Sequence, residues 1–416
     1  MKLLLVLALY CIVPSVTQAK TPNSDLSDWF STPINERGAI PPASLDIPIK
    51  SSRAVKKAKD LVWKAYKKAA IKQEWDKAIP ASRERVDSWK KDGKIVPEIA
   101  VVGDKKMPYV VLTNGKKPFG GWPLFICLHG GGGNPHAKGP HTWPVNTGEW
   151  HGQMALTTKL WEAPGLYVIP RMADDREGRW YYGYNQTFID RIIQQAILFN
   201  EVDSNKVHLM GISEGGYTAF RLGSMMADRW ASSCAMAAAE PIGNAPPENL
   251  RHVAFRCGIG ENDTMFNRHI LARDYFKRLA ELSKQHPGQY IHHHDEQKGR
   301  GHGIDYKEGP AWIAEHTRTA VPKNVTWTVV KQHDRHRNRL YWLAIENYQG
   351  QLPLKLTADA LPNNTIKVTA KTNVDGKDVD ATGFTCRVYL DQSLVNFRKP
   401  VTITVNNKQA FSAVVK

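Results

Sequence analysis

The chain has 416 residues, 42% of them hydrophobic and 23% charged, with 56 Lys and Arg against 40 Asp and Glu and a formal charge of +16. At about 150 residues per domain that length speaks for two or three domains. The composition is that of a folded, water-soluble chain and excludes disordered and collagen-like classes. Beyond the N-terminus no run approaches the roughly 20 apolar residues that a membrane helix needs.

The first element reads as a targeting segment. Lys2 precedes an unbroken apolar stretch of 11 residues from Leu3 to Val13, too short to span a bilayer, and Thr17 and Ala19 supply small residues at a cleavage position. This is the layout of a secretory signal peptide spanning residues 1–19, and the expected location is therefore secreted or periplasmic. Cleavage after Ala19 would remove Lys2 and Cys11 and leave four cysteines, of which Cys127, Cys234 and Cys257 fall in apolar runs. Their spacing is no disulfide framework, so buried thiols are expected, with a Cys234–Cys257 pair as the one alternative.

Residues 20–94 are read as an extended arm followed by a basic helical segment. Val55, Ala58, Val62, Ala65 and Ala69 recur at helical spacing. Between Lys50 and Lys94 stand 15 Lys and Arg against 6 Asp and Glu. A solvated helix face explains such a run; contact with a polyanion is the sharper reading. An exported chain without a recognition motif gives no reason to expect nucleic acid.

From 95 to 320 the pattern predicts a parallel sheet. Glu98–Val102 and Tyr109–Leu112 read as a hairpin. Trp122–Leu128, Gly165–Ile169, Val207–Met210, Ser232–Ala239, Val253–Ile259 and Tyr290–Asp295 read as strands. Helical material lies around Ile189–Ile197 and over Tyr217–Met226, Arg268–Ser283 and Gly309–Thr317. Strands alternating with helices make an α/β, mostly parallel sheet covered on both faces. From 321 to 416, short β-rich runs separated by Asn363-Asn364, Asp375-Gly376 and Asn406-Asn407 predict a small antiparallel β-domain.

The chemistry concentrates at strand ends. Gly211-Ile-Ser213-Glu-Gly215-Gly216 follows the strand Val207–Met210 and opens a helix. That is a nucleophile elbow, in which glycines allow a tight turn that lifts the serine Oγ above the sheet. His129-Gly130-Gly131-Gly132-Gly133 ends the strand before it. Backbone N–H groups of Gly130 or Gly131, together with that of Glu214, are candidate oxyanion donors. A serine nucleophile needs a base, and the base an orienting acid. His302, in the loop Lys298-Gly-Arg-Gly-His302-Gly, and Asp263, in Gly260-Glu-Asn-Asp263, both lie just past strands. Their chain order, Ser213 then Asp263 then His302, suits this architecture; Glu261 is the alternative acid. Trp180, Tyr181 and Tyr182 are candidates for substrate binding, as are His141, Trp143 and Trp150 in the loop after the glycines, although both sets serve equally as loop packing. His292, His293 and His294 lack a carboxylate or cysteine partner at ligand spacing, so no metal is assigned, and the triad chemistry needs no cofactor.

Taken together, the His129 glycine run, the Ser213 elbow, the Asp263 loop and the His302 loop resemble the α/β-hydrolase superfamily. Within it the chain is similar to the secreted polyhydroxybutyrate depolymerase and feruloyl-esterase-like group, which overlaps prolyl-oligopeptidase-type catalytic domains. The resemblance covers residues 95–320. It implies Ser213 as nucleophile, His302 as base, Asp263 as orienting acid, and cleavage of an ester substrate, polymeric or small, through an acyl-enzyme. A peptidase or amidase on the same triad is one alternative. A non-catalytic exported binding module is another, against which retention of all three triad residues argues.

Overall fold

A computed structural model describes residues 22–31, 51–72 and 96–415; the expected signal peptide and much of the arm lie outside them. Two helices precede the sheet, α1 (Pro22–Ser31) and α2 (Ser52–Lys72). The apolar spacing in α2 buries Ala65, Ala69 and Ala70 and leaves Lys56, Lys57, Lys64, Lys67 and Lys68 exposed.

The central sheet contains β1 (Glu98–Val102), β2 (Lys105–Asn114), β3 (Trp122–Leu128), β4 (Gly165–Pro170), β5 (Val202–Ile212), β6 (Ser232–Met236), β7 (Ala254–Gly260) and β8 (His292–Gln297). Their spatial order is β1-β2-β4-β3-β5-β6-β7-β8. The first two strands pair antiparallel, and every pairing from β4 to β8 is parallel. The interleaved helices are α3 (Pro144–Lys159), α4 (Gly183–Phe199), α5 (Glu214–Met225), α6 (Arg268–Gln285) and α7 (Glu308–Ala314).

Because side chains alternate across a strand, β3 divides its apolar run between two core layers. Leu124, Ile126 and Leu128 join Phe188, Ile192, Phe220 and Tyr275 from α4, α5 and α6 on one face. Phe125 and Cys127 join Trp150 and Met154 of α3 and Ile313 of α7 on the other. Double-sided burial is what a continuous apolar strand requires, and it keeps Cys127, Cys234 and Cys257 buried as free thiols, unlike the Cys234–Cys257 pair considered above; Cys386, in the C-terminal region, is likewise buried and free.

Residues 22–31, part of the expected extended arm, fold as the helix α1, and other elements also depart from the sequence reading. Residues taken there as a loop after the glycines fold as α3, whose buried face is Asn146, Trp150, Gln153, Met154 and Thr157. A mostly polar buried face leaves no apolar periodicity to read. Likewise β9 (Asn324–Val329), unassigned from sequence, buries Val325, Trp327 and Val329 in strict alternation.

The C-terminal strands are β10 (Arg339–Leu340), β11 (Leu343–Tyr348), β12 (Leu354–Leu361), β13 (Thr365–Val374), β14 (Lys377–Asp380), β15 (Phe384–Val388), β16 (Pro400–Val405) and β17 (Lys408–Val414). They form one sheet ordered β17-β16-β13-β12-β9, with β14 on β13, and a second ordered β10-β11-β15. All pairings are antiparallel except β13 with β16. The chain leaves the larger sheet to form β15 and returns beside β13 in the same direction, the one parallel pairing in the otherwise antiparallel β-domain that the sequence predicts. Asn249 fixes this region to the central sheet by accepting from the Thr328 N–H (2.6 Å) and donating to its carbonyl (2.9 Å).

Candidate active site

The strand β5 lies at the middle of the parallel sheet and ends one residue before Ser213. Ser213 adopts φ 51° and ψ −109°, outside the regions L-residues prefer, and α5 starts at the next residue. Such strain costs about 1–3 kcal/mol and persists only where the surroundings impose it. Here the constraint is contact: a Cβ on Gly211 would stand 2.1 Å from the Gly215 carbonyl oxygen. Only glycine lets the strand and the helix come so close. The Ser213 N–H donates to the Met236 carbonyl (2.9 Å), which ties the turn to the neighbouring strand.

Asp263 follows β7, and His302 follows β8. The two loops are zipped by backbone hydrogen bonds, Asn262 N–H to the Arg300 carbonyl (2.8 Å) and Glu261 N–H to the Gln297 carbonyl (3.0 Å). They bring the three side chains into line. His302 Nε2 lies 3.1 Å from Ser213 Oγ, and His302 Nδ1 lies 2.8 Å from Asp263 Oδ2. Asp263 is 2% exposed and His302 47%, so the imidazole opens to solvent while the carboxylate does not. Glu261, the alternative acid, instead accepts the Gly299 N–H (3.0 Å) and braces the histidine loop.

Arg268 completes this cluster, and no sequence motif marks it. Its Nη1 donates to Asp263 Oδ1 (2.9 Å) and its Nε donates to the Tyr217 hydroxyl (2.6 Å). Nη1 also lies 3.2 Å from His302 Nδ1. A carboxylate accepts and a guanidinium only donates, so a proton on Nδ1 can serve only the bond to Asp263 Oδ2, and Nε2 is then the acceptor facing Ser213.

The glycine run is held from behind. His129 is buried and its Nε2 accepts the Met172 N–H (3.0 Å), so its Nδ1–H donates to the Gly130 carbonyl (2.6 Å). Burial lowers its pKa to about 3, and both of its ring nitrogens are already taken by backbone partners, so it has no free nitrogen to offer Ser213. The Gly132 N–H is taken by Asn146 Oδ1 (3.0 Å), and Asn146 in turn donates to Asp175 (2.7 Å). The N–H groups of Gly130 and Gly131 carry no such partner among the described residues. Gly130 faces Ser213, since a Cβ there would lie 3.4 Å from Ser213 Cβ. Glu214 is the first residue of α5, so its N–H is one that a helix leaves unbonded, at the positive end of the dipole.

The aromatic candidates separate. Trp180 is 0% exposed, donates from Nε1 to the His129 carbonyl (3.0 Å) and packs edge-on against the imidazole. It therefore supports the glycine run from inside and does not line a pocket, which corrects that expectation. Tyr181 lies under the Arg221 guanidinium, 4.3 Å from its centroid, and Tyr182 stacks on His333 at 3.8 Å. Trp150 sits in the core, with Nε1 donating to the Ile169 carbonyl (3.0 Å). His141 meets the Lys106 carbonyl, while the Trp143 N–H donates to Asp175. Of the three consecutive histidines, His292 contacts the Tyr290 carbonyl and His294 stacks on Phe276.

An eight-stranded sheet in this order, with an elbow serine after its fifth strand and an acid and a histidine after its seventh and eighth, defines an α/β-hydrolase fold. No family model matches the chain, and no curated protein does. Several solved structures are similar to part of it. One is a thermostable esterase, 16% identical, covering 54% of this chain and 63% of its own length, under two thirds, with a TM-score of 0.40. A ferulic acid esterase is 16% identical over 53% of this chain and 98% of its own, with a TM-score of 0.38. A CE1 ferulic acid esterase from Anaeromyces mucronatus is 16% identical over 58% and 95%, with a TM-score of 0.35.

Proposed function

We propose that the chain is an exported serine hydrolase that cleaves carboxylic esters through an acyl-enzyme. The observation that carries this reading is the hydrogen-bonded line from Ser213 Oγ through His302 to Asp263 at the carboxyl ends of three parallel strands. Residues 95–320 form its catalytic domain in this reading, with 321–416 as an appended β-domain.

In the proposed cycle Ser213 Oγ attacks the ester carbonyl carbon as its proton passes to His302 Nε2. Asp263 orients the imidazole and stabilises the imidazolium that forms. The developing oxyanion is met by the N–H groups of Gly130 or Gly131 and of Glu214, each donor being worth about 3 kcal/mol in such sites. His302 then protonates the leaving alcohol and draws a proton from the water that releases the acid.

The test is hydrolysis of 4-nitrophenyl esters from acetate to octanoate by the wild type beside Ser213→Ala. Turnover that falls at least about 10³-fold in the variant is expected. Equal turnover in both proteins would remove Ser213 from the mechanism, and amide turnover exceeding ester turnover would replace the ester reading with a peptidase.

A further inference from the structure

Directly beside the nucleophile lies a buried charge that the acyl-transfer cycle does not use. The Glu214 side chain is 2% exposed; one oxygen meets Arg179 Nη1, and Oε1 has no partner. Burial raises its pKa to about 7, against the pull of Arg179. Leaving a carboxylate oxygen buried and unpaired is unfavourable, so the pair is only half satisfied from within the protein.

Arg179 is the other half. Its side chain is 44% exposed, and beyond the Nη1 bond to Glu214 its N–H groups carry no protein partner among the described residues. Its position follows from contact between glycines: a Cβ on Gly178, at φ +53°, would stand 2.1 Å from the Gly132 carbonyl oxygen. The loop therefore lies flat on the glycine run and sets Arg179 Nη1 3.9 Å from the Cβ position of Gly132. Gly130, two residues earlier, faces Ser213. On that side the Glu149 carboxylate lies 2.6 Å from the Cβ position of Gly130, whereas the Gly132 end meets the ion pair itself, with Glu214 Oε2 as close as Arg179 Nη1 at 3.9 Å.

We infer that Arg179 binds a carboxylate carried by the substrate, so that the site takes esters with an acidic group beyond the scissile bond. This rests on the ester-hydrolase reading and narrows its substrate class. A guanidinium presents a planar fork matched to a carboxylate, and half-exposure at a rim leaves it reachable while partly desolvated. Glu214 offsets the cation when the site is empty. When a substrate carboxylate arrives, proton uptake by Glu214 relieves the crowding of two anions on one guanidinium.

The experiment compares two esters of matched length, 4-nitrophenyl hexanoate and the mono-4-nitrophenyl ester of adipic acid, in wild type, Arg179→Gln, Glu214→Gln and Ser213→Ala. The readout is the ratio of kcat/KM for the acidic ester to that for the neutral one, which cancels general damage to the site. The ratio is expected to fall about tenfold or more in Arg179→Gln and to rise in Glu214→Gln, where the fork loses its internal competitor. An unchanged ratio in Arg179→Gln overturns the inference. Should that variant not fold, an unchanged or lower ratio in Glu214→Gln overturns it as well. Failure of the hydrolase reading looks different: neither ester is turned over, or Ser213→Ala turns them over as fast as wild type.

Discussion

At the scale of single residues, the site is a set of charges held in pairs. Asp263 is buried against Arg268 and His302. Removing one member of a buried pair leaves the other uncompensated, at a cost of about 3–5 kcal/mol. Arg268→Met should therefore lower the urea midpoint by an amount equivalent to about 3 kcal/mol, and ester turnover should fall with it. Glu214 behaves in the opposite sense. Its folded pKa is raised from 4.5 to about 7, so between those values the folded protein holds a proton that the unfolded chain has lost. Stability then falls as pH rises through that window. Glu214→Gln should flatten this part of the stability profile in urea titrations at pH 4.5, 6 and 7.5; a parallel slope in both proteins would assign the pH dependence to other groups.

At the scale of elements, the elbow and the glycine run are placed by steric exclusion. Gly211 allows β5 and α5 to meet, and Gly178 allows the Arg179 loop to lie on the run. Gly178→Ala puts a side chain into a carbonyl oxygen at positive φ. The expected loss is about 1–3 kcal/mol, from overlap together with strain. Its thermal midpoint should drop by several degrees, and the ratio of acidic to neutral ester turnover should drop too, because Arg179 rides on that loop. The glycine signals were legible in the sequence because the steric demand is local: a strand, a tight turn and a helix follow one another within a few residues. α3 was not legible, because three of its five buried residues, Asn146, Gln153 and Thr157, are polar, and a polar buried face leaves no apolar period to read.

At the scale of the whole molecule, the β-rich C-terminal region and the central sheet share one apolar core, in which Trp327, Leu340 and Tyr341 join Leu222, Met226 and Leu250. Asn249→Ala removes both hydrogen bonds to Thr328 and leaves partly buried backbone groups unpaired, for a loss of about 1–3 kcal/mol. The two regions should unfold in a single calorimetric transition that moves to lower temperature as a unit in this variant. The exposed lysines of α2 face outward on the same scale. We propose polyanion contact for them: replacing Lys56, Lys57, Lys67 and Lys68 by Gln should weaken retention on an acidic polysaccharide column, most at low salt.

The sequence by itself determined the strands of the central sheet, the elbow at Ser213, the glycine run and the candidacy of Asp263 and His302, because each follows from steric or apolar demands among near neighbours. Tertiary structure alone decided that Trp180 is an internal support, that β13 and β16 run parallel, and that Arg268 meets Asp263 while Arg179 meets Glu214. Those outcomes depend on loops converging from separate strand ends. Charge pairing across such loops follows distance in space, which no local pattern of residues encodes.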